Sequence, residues 1–146
     1  MIAFGLTVEI ARPPSDVFAY ITDPAKLPTW QGTAEVEQLT PGPVREGTRF
    51  REVHERMGRR LESVTEVTAY EPDRHFAIRI VEGPVPIDGD WRLDPRDGGT
   101  RVDFAATGKL SGPLRLLEPL IGGAVRRRMR RDHQRLKRGL ESRAAA

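Results

Sequence analysis

Phe4, Leu6, Val8 and Ile10 alternate with Gly5, Thr7 and Glu9, a period of two that turns one face of a strand toward a core. Pro13 and Pro14 then preset the backbone for a helix start, Ser15 and Asp16 supply polar and acidic groups for its first turn, and Val17, Phe18 and Ile21 form its apolar face. This short helix breaks at Asp23-Pro24. A second helical turn over Ala25 to Leu27 is expected to stop before Pro28, because the residue preceding a proline is pushed out of the helical region; Trp30 lies just beyond. From there to Gly108 the chain reads as strands over 33–39, 48–56, 61–70, 75–81, 87–94 and 100–107. Turn signals at Pro41-Gly42-Pro43, Met57-Gly58, Glu71-Pro72-Asp73, Gly83-Pro84 and Asp97-Gly98-Gly99 separate them. With the first strand this makes seven, and such short connections favour an antiparallel meander.

The last third is helical with two apolar stripes. Val125, Met129, Leu136 and Leu140 share one line on a helical wheel, whereas Leu117, Leu120, Ile121 and Ala124 lie about a quarter turn away. One straight helix cannot bury both against a single surface, so a break is expected at Gly122-Gly123, with Pro119 unsettling the turn before it. The break reads either as a kink between two core-packing segments or as a hinge beside a cavity mouth. Only the last residues, ending in Ala144 to Ala146, are expected to fray.

At 146 residues, 38% hydrophobic and 31% charged, the chain has the length of a single domain, 1–146, able to bury its own core. It contains no cysteine, which excludes disulfides and thiolate chemistry, and His54, His75 and His133 are too scattered for ligand spacing, so neither a metal nor another cofactor is expected. No signal arrangement opens the chain and no apolar run approaches the roughly 20 residues that span a bilayer, which reads as cytoplasmic.

The stretch from Ala11-Arg12-Pro13-Pro14-Ser15-Asp16 through Asp23-Pro24 to Trp30, followed by Gly47-Thr48, Tyr70-Glu71-Pro72, Trp91-Arg92-Leu93, Gly99-Thr100-Arg101-Val102 and the terminal Leu136-Lys137 with Gly139 to Glu141, resembles the START-like SRPBCC superfamily, in particular its polyketide cyclase/dehydrase and lipid-transport branch. The resemblance implies an α+β helix-grip fold, a seven-stranded antiparallel sheet wrapped around a long C-terminal helix with two short helices after strand one. It also implies a cavity for a hydrophobic molecule between sheet and helix. It carries over no catalytic motif, because the matching positions set turns and core packing.

Strand alternation nominates the cavity wall. Phe50 places Glu52 and His54 on its own face, with Arg49, Arg51, Val53 and Glu55 on the other; Phe76, Ile78 and Ile80, then Ile87, Gly89, Trp91 and Leu93, then Val102, Phe104 and Ala106 form the inward sets. Trp30, Phe50, Phe76, Ile78, Trp91, Phe104, Ile121, Val125 and Met129 are therefore the expected ligand contacts. For Trp30 a place near the mouth is favoured, while for Trp91 core packing competes equally. His75 and Arg79 fall on the outer face, where solvation is expected. Glu52 and His54 are polar groups on an apolar wall, where an unpaired polar group costs a few kcal/mol. They read as a proton-transfer pair for a carbonyl-bearing ligand, since histidine's reference pKa of about 6.5 suits a general base, or as an ordinary pair at the sheet's open end.

Residues 126–138 carry eight basic side chains against the single acid Asp132, a local charge of +7 that leaves the rest of the chain at −4 within its net +3. The basic groups avoid the Val125, Met129, Leu136, Leu140 stripe, as a solvated outer face would. Arg126, Arg127, Arg130 and Arg131 also suit an anionic membrane surface, RNA or an acidic protein, although no aromatic residue interleaves with them for base stacking. The pattern leaves three functions. The favoured one is a carrier or sensor of a lipid, quinone or polyketide-like molecule; the others are a polyketide cyclase/dehydratase using His54 and Glu52, and an RNA- or ribosome-associated protein using the arginine-rich helix. Oligomeric state is not legible.

Overall fold

A computed structural model describes residues 1–143. The frayed end expected at Ala144 to Ala146 lies outside the described residues. Seven strands form one antiparallel sheet in the order β1-β7-β6-β5-β4-β3-β2. They are β1 (Ile2–Ile10), β2 (Glu35–Gln38), β3 (Arg49–Arg56), β4 (Arg59–Glu71), β5 (His75–Glu82), β6 (Ile87–Arg96) and β7 (Gly99–Gly108). Helices α1 (Pro14–Thr22) and α2 (Leu27–Trp30) follow β1, and α3 (Glu118–Arg143) lies along β1 and α2, so the helix-grip architecture is present.

The meander follows from its turns. Arg56 pairs with Arg59 across a two-residue loop in which Met57 and Gly58 both take positive φ, 50° and 75°. That is the turn whose twist matches a hairpin, and it projects beyond the end of β5, because the last β5 residue, Glu82, pairs with Val64. β6 runs past its expected end through Pro95. Its pairing with β5 stops at Arg92, so on that side no ladder bond needs the missing proline N–H.

Two local expectations are overturned. Pro28 does not end the second helical segment. A 3-10 turn over Pro24–Lys26 leads into α2, where Pro28 occupies the first turn, the one place where a proline's absent N–H has no intrahelical partner to lose. Nor is there a break at Gly122-Gly123: α3 continues for 26 residues, about 39 Å. The wheel argument required both stripes to be buried, but Leu117 and Leu120 are exposed, so only the second stripe constrains the helix. Gly122 packs beside β1, where a Cβ would sit 3.5 Å from Ile2, an ordinary van der Waals contact.

The core lies inside the curve of the sheet. Ile10, Val17, Phe18, Ile21, Val102, Leu136 and Leu140 close it at one end and the rings of Trp30, Phe76, Trp91 and Phe104 fill its centre. Val53 faces outward as its parity requires, yet it is fully buried. Its ladder neighbours Glu35 and Glu62 are bonded to Arg60 and Arg51, so an ion-paired lattice roofs it.

Candidate functional site

Between sheet and α3 lies a cavity of about 200 Å3. Ile78 and Ile80 from β5, Ile87, Gly89 and Trp91 from β6, Phe104 from β7, and Val125 and Met129 from α3 make its apolar wall. Gly89 shapes the floor, since a Cβ there would come within 3.3 to 3.4 Å of Phe104, Ile78 and Trp91. A smaller space of about 40 Å3, lined by Phe50 and Phe76, shares Glu52, Thr65, Ile78 and Trp91 with it. The cavity reaches one end of the sheet at Arg56, Glu62 and Pro84.

One side of the wall is polar. Arg128 lies on α3 four residues before Asp132, and it donates to the Gln31 carbonyl at 3.3 Å and to His54 Nδ1 at 3.0 Å. A guanidinium can only donate, so Nδ1 accepts and neutral His54 carries its proton on Nε2, which lies 3.5 Å from Glu52 Oε1. Glu52 is nearly buried, and among the described residues His54 is the partner of its carboxylate. Asp132 sits 3.8 Å from Arg128 and 3.6 Å from Arg135. Burial nevertheless raises its pKa from 3.8 to about 6, against the pull of Arg135, Arg56 and Arg131. The arrangement is a chain of alternating charge and dipole, from Asp132 through Arg128 and His54 to Glu52, bordering an apolar space.

His133 holds the ring cluster behind the wall. Its Nδ1–H donates to the Met129 carbonyl at 2.7 Å, and its Nε2 accepts the Trp91 indole N–H at 2.9 Å. Burial lowers its pKa from 6.5 to about 4, opposed by the Met129 bond, so it is neutral near pH 7.

Phe50, Phe76, Ile78, Trp91 and Phe104 stand on the walls where the alternation put them, together with Glu52 and His54, and Val125 and Met129 of the helical stripe face them from α3. Trp91 lines the cavity while its indole N–H is anchored to His133. Trp30 does not line the mouth. It is buried edge-on against Trp91 and His133, with ring centroids 6.3 and 5.6 Å away, because α2 carries it under the sheet. Ile121 is also absent from the lining; it sits a turn before Val125, beyond the cavity's end of the helix. His75 is half-buried and bonded to Asp90 at 2.8 Å instead of being free in solvent. The sequence reading missed Arg128 and Asp132, having assigned the arginine run to an outer face. The available signal was their i, i+4 spacing astride Val125 and Met129, with the run's one acid as partner. Arg126 lies over the Phe4 ring, 5.8 Å from its centroid, while Arg127, Arg130 and Arg131 are exposed.

A curved antiparallel sheet closed by a long C-terminal helix over an apolar cavity defines the helix-grip class of hydrophobic-ligand proteins. Within that class the chain belongs to the family described as polyketide cyclase/dehydrase and lipid transport, whose sequence profile matches residues 1–141. It is 31% identical over 152 aligned positions to an uncharacterised protein of Mycobacterium tuberculosis, covering 98% of this chain and 87% of the other. A crystal structure from Thermus thermophilus superposes with a TM-score of 0.74 at 26% identity, over 99% of both chains. The Zhui aromatase/cyclase of a Streptomyces shares the fold at a TM-score of 0.78 and 19% identity, over 97% of this chain and 94% of that one. Among the described residues no helix is long and apolar enough to cross a membrane.

Proposed function

We propose that the protein binds a hydrophobic small molecule, a lipid, quinone or polyketide-like compound, between the sheet and α3, as its carrier or sensor. The observation that carries this reading is an apolar wall with polar groups confined to one side. About 200 Å3 lies below the range of roughly 300–1,000 Å3 typical of drug-sized ligand sites, which favours an acyl chain or a small ring system over a folded polyketide. Native mass spectrometry of freshly purified protein, compared with the denatured sample, tests it. A noncovalent mass that disappears on denaturation is expected, and Val125→Phe, which fills the cavity from α3, should lack it. An empty protein that also fails to bind a fluorescent fatty-acid probe overturns the reading.

A second reading, cyclisation or dehydration of a polyketide, is favoured by the pairing of Glu52 with His54. Because Arg128 occupies Nδ1, Glu52 is the proton acceptor in this reading and His54 is the group that orients it. Turnover of polyketide-like substrates that disappears in Glu52→Gln, with ligand binding retained, supports it. Kinetics unchanged in both Glu52→Gln and His54→Ala would exclude it.

A further inference from the structure

The ladder registers gather several separate segments at the cavity's open end. Ile2 and Ile87 both pair with Gly108, so the N-terminus, the start of β6 and the chain after β7 meet there. The projecting Met57-Gly58 hairpin lies at the same end. Seven large apolar side chains are exposed among the described residues, and six of them belong to this end: Met1, Met57, Leu114, Leu116, Leu117 and Leu120. Leu39, beyond β2, is the exception. Scattered exposed apolar residues are ordinary on a protein surface, but their concentration at one end of the sheet is not. Leu116 and Leu120 are 86% and 73% exposed, and Met57 is fully so.

The same rim is basic. Arg59, Lys109 and Arg115 are exposed and, among the described residues, without an ion pair, and Arg56 bonds the Glu55 carbonyl; Glu82, at the end of β5, is an exposed acid there without an ion pair. Glu118, the acid nearest the leucines, is bonded to the Met1 ammonium. We propose that this end docks on an anionic lipid bilayer, with the leucines and Met57 entering the interface and the arginines resting on phosphates, so that the cavity faces the membrane. Apolar tips on separate loops, ringed by cations, match a fluid anionic surface. A second copy fits poorly, because a two-fold contact would set this basic rim against itself. RNA would gain no stacking partner from methionine and leucine.

The test is co-sedimentation with empty vesicles of phosphatidylcholine, with and without phosphatidylglycerol, at low and high salt. Because no cavity ligand takes part, its outcome is independent of the carrier reading. Binding should require phosphatidylglycerol and fall with salt. Leu116→Ser combined with Leu120→Ser should weaken it on the order of tenfold or more, as lost apolar burial implies. Arg59→Gln with Arg115→Gln should cost about fivefold per arginine. Leu39→Ser should change nothing, and since all these side chains are exposed, the melting temperatures of the variants should match that of the parent. The proposal is overturned by absence of binding at low salt, or by binding that ignores the leucine pair. Affinity for RNA without affinity for vesicles overturns it too, as does a dimer in solution that the leucine substitutions dissolve.

Discussion

Asp132 and His133 are neighbours on α3, both are almost completely buried, and their titrations act on stability in opposite directions. Asp132 is raised from 3.8 to about 6 by burial, so between those pH values the native protein holds a proton that the unfolded chain has released. Native binding exceeds unfolded binding, and stability therefore falls as pH rises through this window. About two pKa units correspond to about 3 kcal/mol, present below pH 3.8 and lost above about 6. His133 is lowered from 6.5 to about 4, so in nearly the same window the unfolded chain is the one holding the extra proton. Its contribution, also about 3 kcal/mol, is complete above pH 6.5 and lost as pH falls toward 4. In the parent protein the two slopes largely cancel, and substitution should expose each. Asp132→Asn keeps the shape and removes the titration. Its urea-unfolding free energy, taken relative to the parent, should rise by about 2 to 3 kcal/mol between pH 4 and pH 7. His133→Gln should show the opposite, its free energy relative to the parent rising by a similar amount from pH 7 to pH 4. Relative stabilities that are equal at both pH values would refute the assignment. They would mean that Arg128 and Arg135 fully compensate the buried carboxylate, or that the imidazole is solvated.

Trp91→Phe leaves His133 Nε2 without its donor and should destabilise the fold by about 1 to 3 kcal/mol, beyond the loss of ring area, as read by thermal or urea unfolding. The helix glycines should separate in the same assay. A Cβ at Gly123 meets no atom within 4 Å, so Gly123→Ala should stabilise by up to about 1 kcal/mol, whereas at Gly139 the Cβ would lie 2.9 Å from the Tyr20 hydroxyl and the substitution should destabilise. A Gly123→Ala protein that melts lower than the parent would restore the hinge that the continuous helix argues against.

Residue order by itself determined the meander, the short helix after Pro13-Pro14, and the apolar faces of β5, β6 and β7. A strand's alternation and a turn's backbone demands are properties of adjacent residues. It also placed Glu52 and His54 beside Phe50 on one face, since parity within β3 needs no knowledge of any partner. The tertiary structure decided what covers each face. Trp30 became core because α2 slides beneath the sheet. Val53 became buried because Arg60 reaches from β4 across β3 to Glu35 on β2. Arg128 left the solvated arc because Gln31 and His54, distant in the chain, offer acceptors at the cavity edge. The glycine pair did not break α3 because Leu117 and Leu120 were free to stay in water, and no local pattern reveals whether an apolar stripe has a surface to meet. Burial, and with it the displaced pKa values of Asp132 and His133, is a sum over residues far apart in sequence, so it exists only once the sheet has closed on the helix.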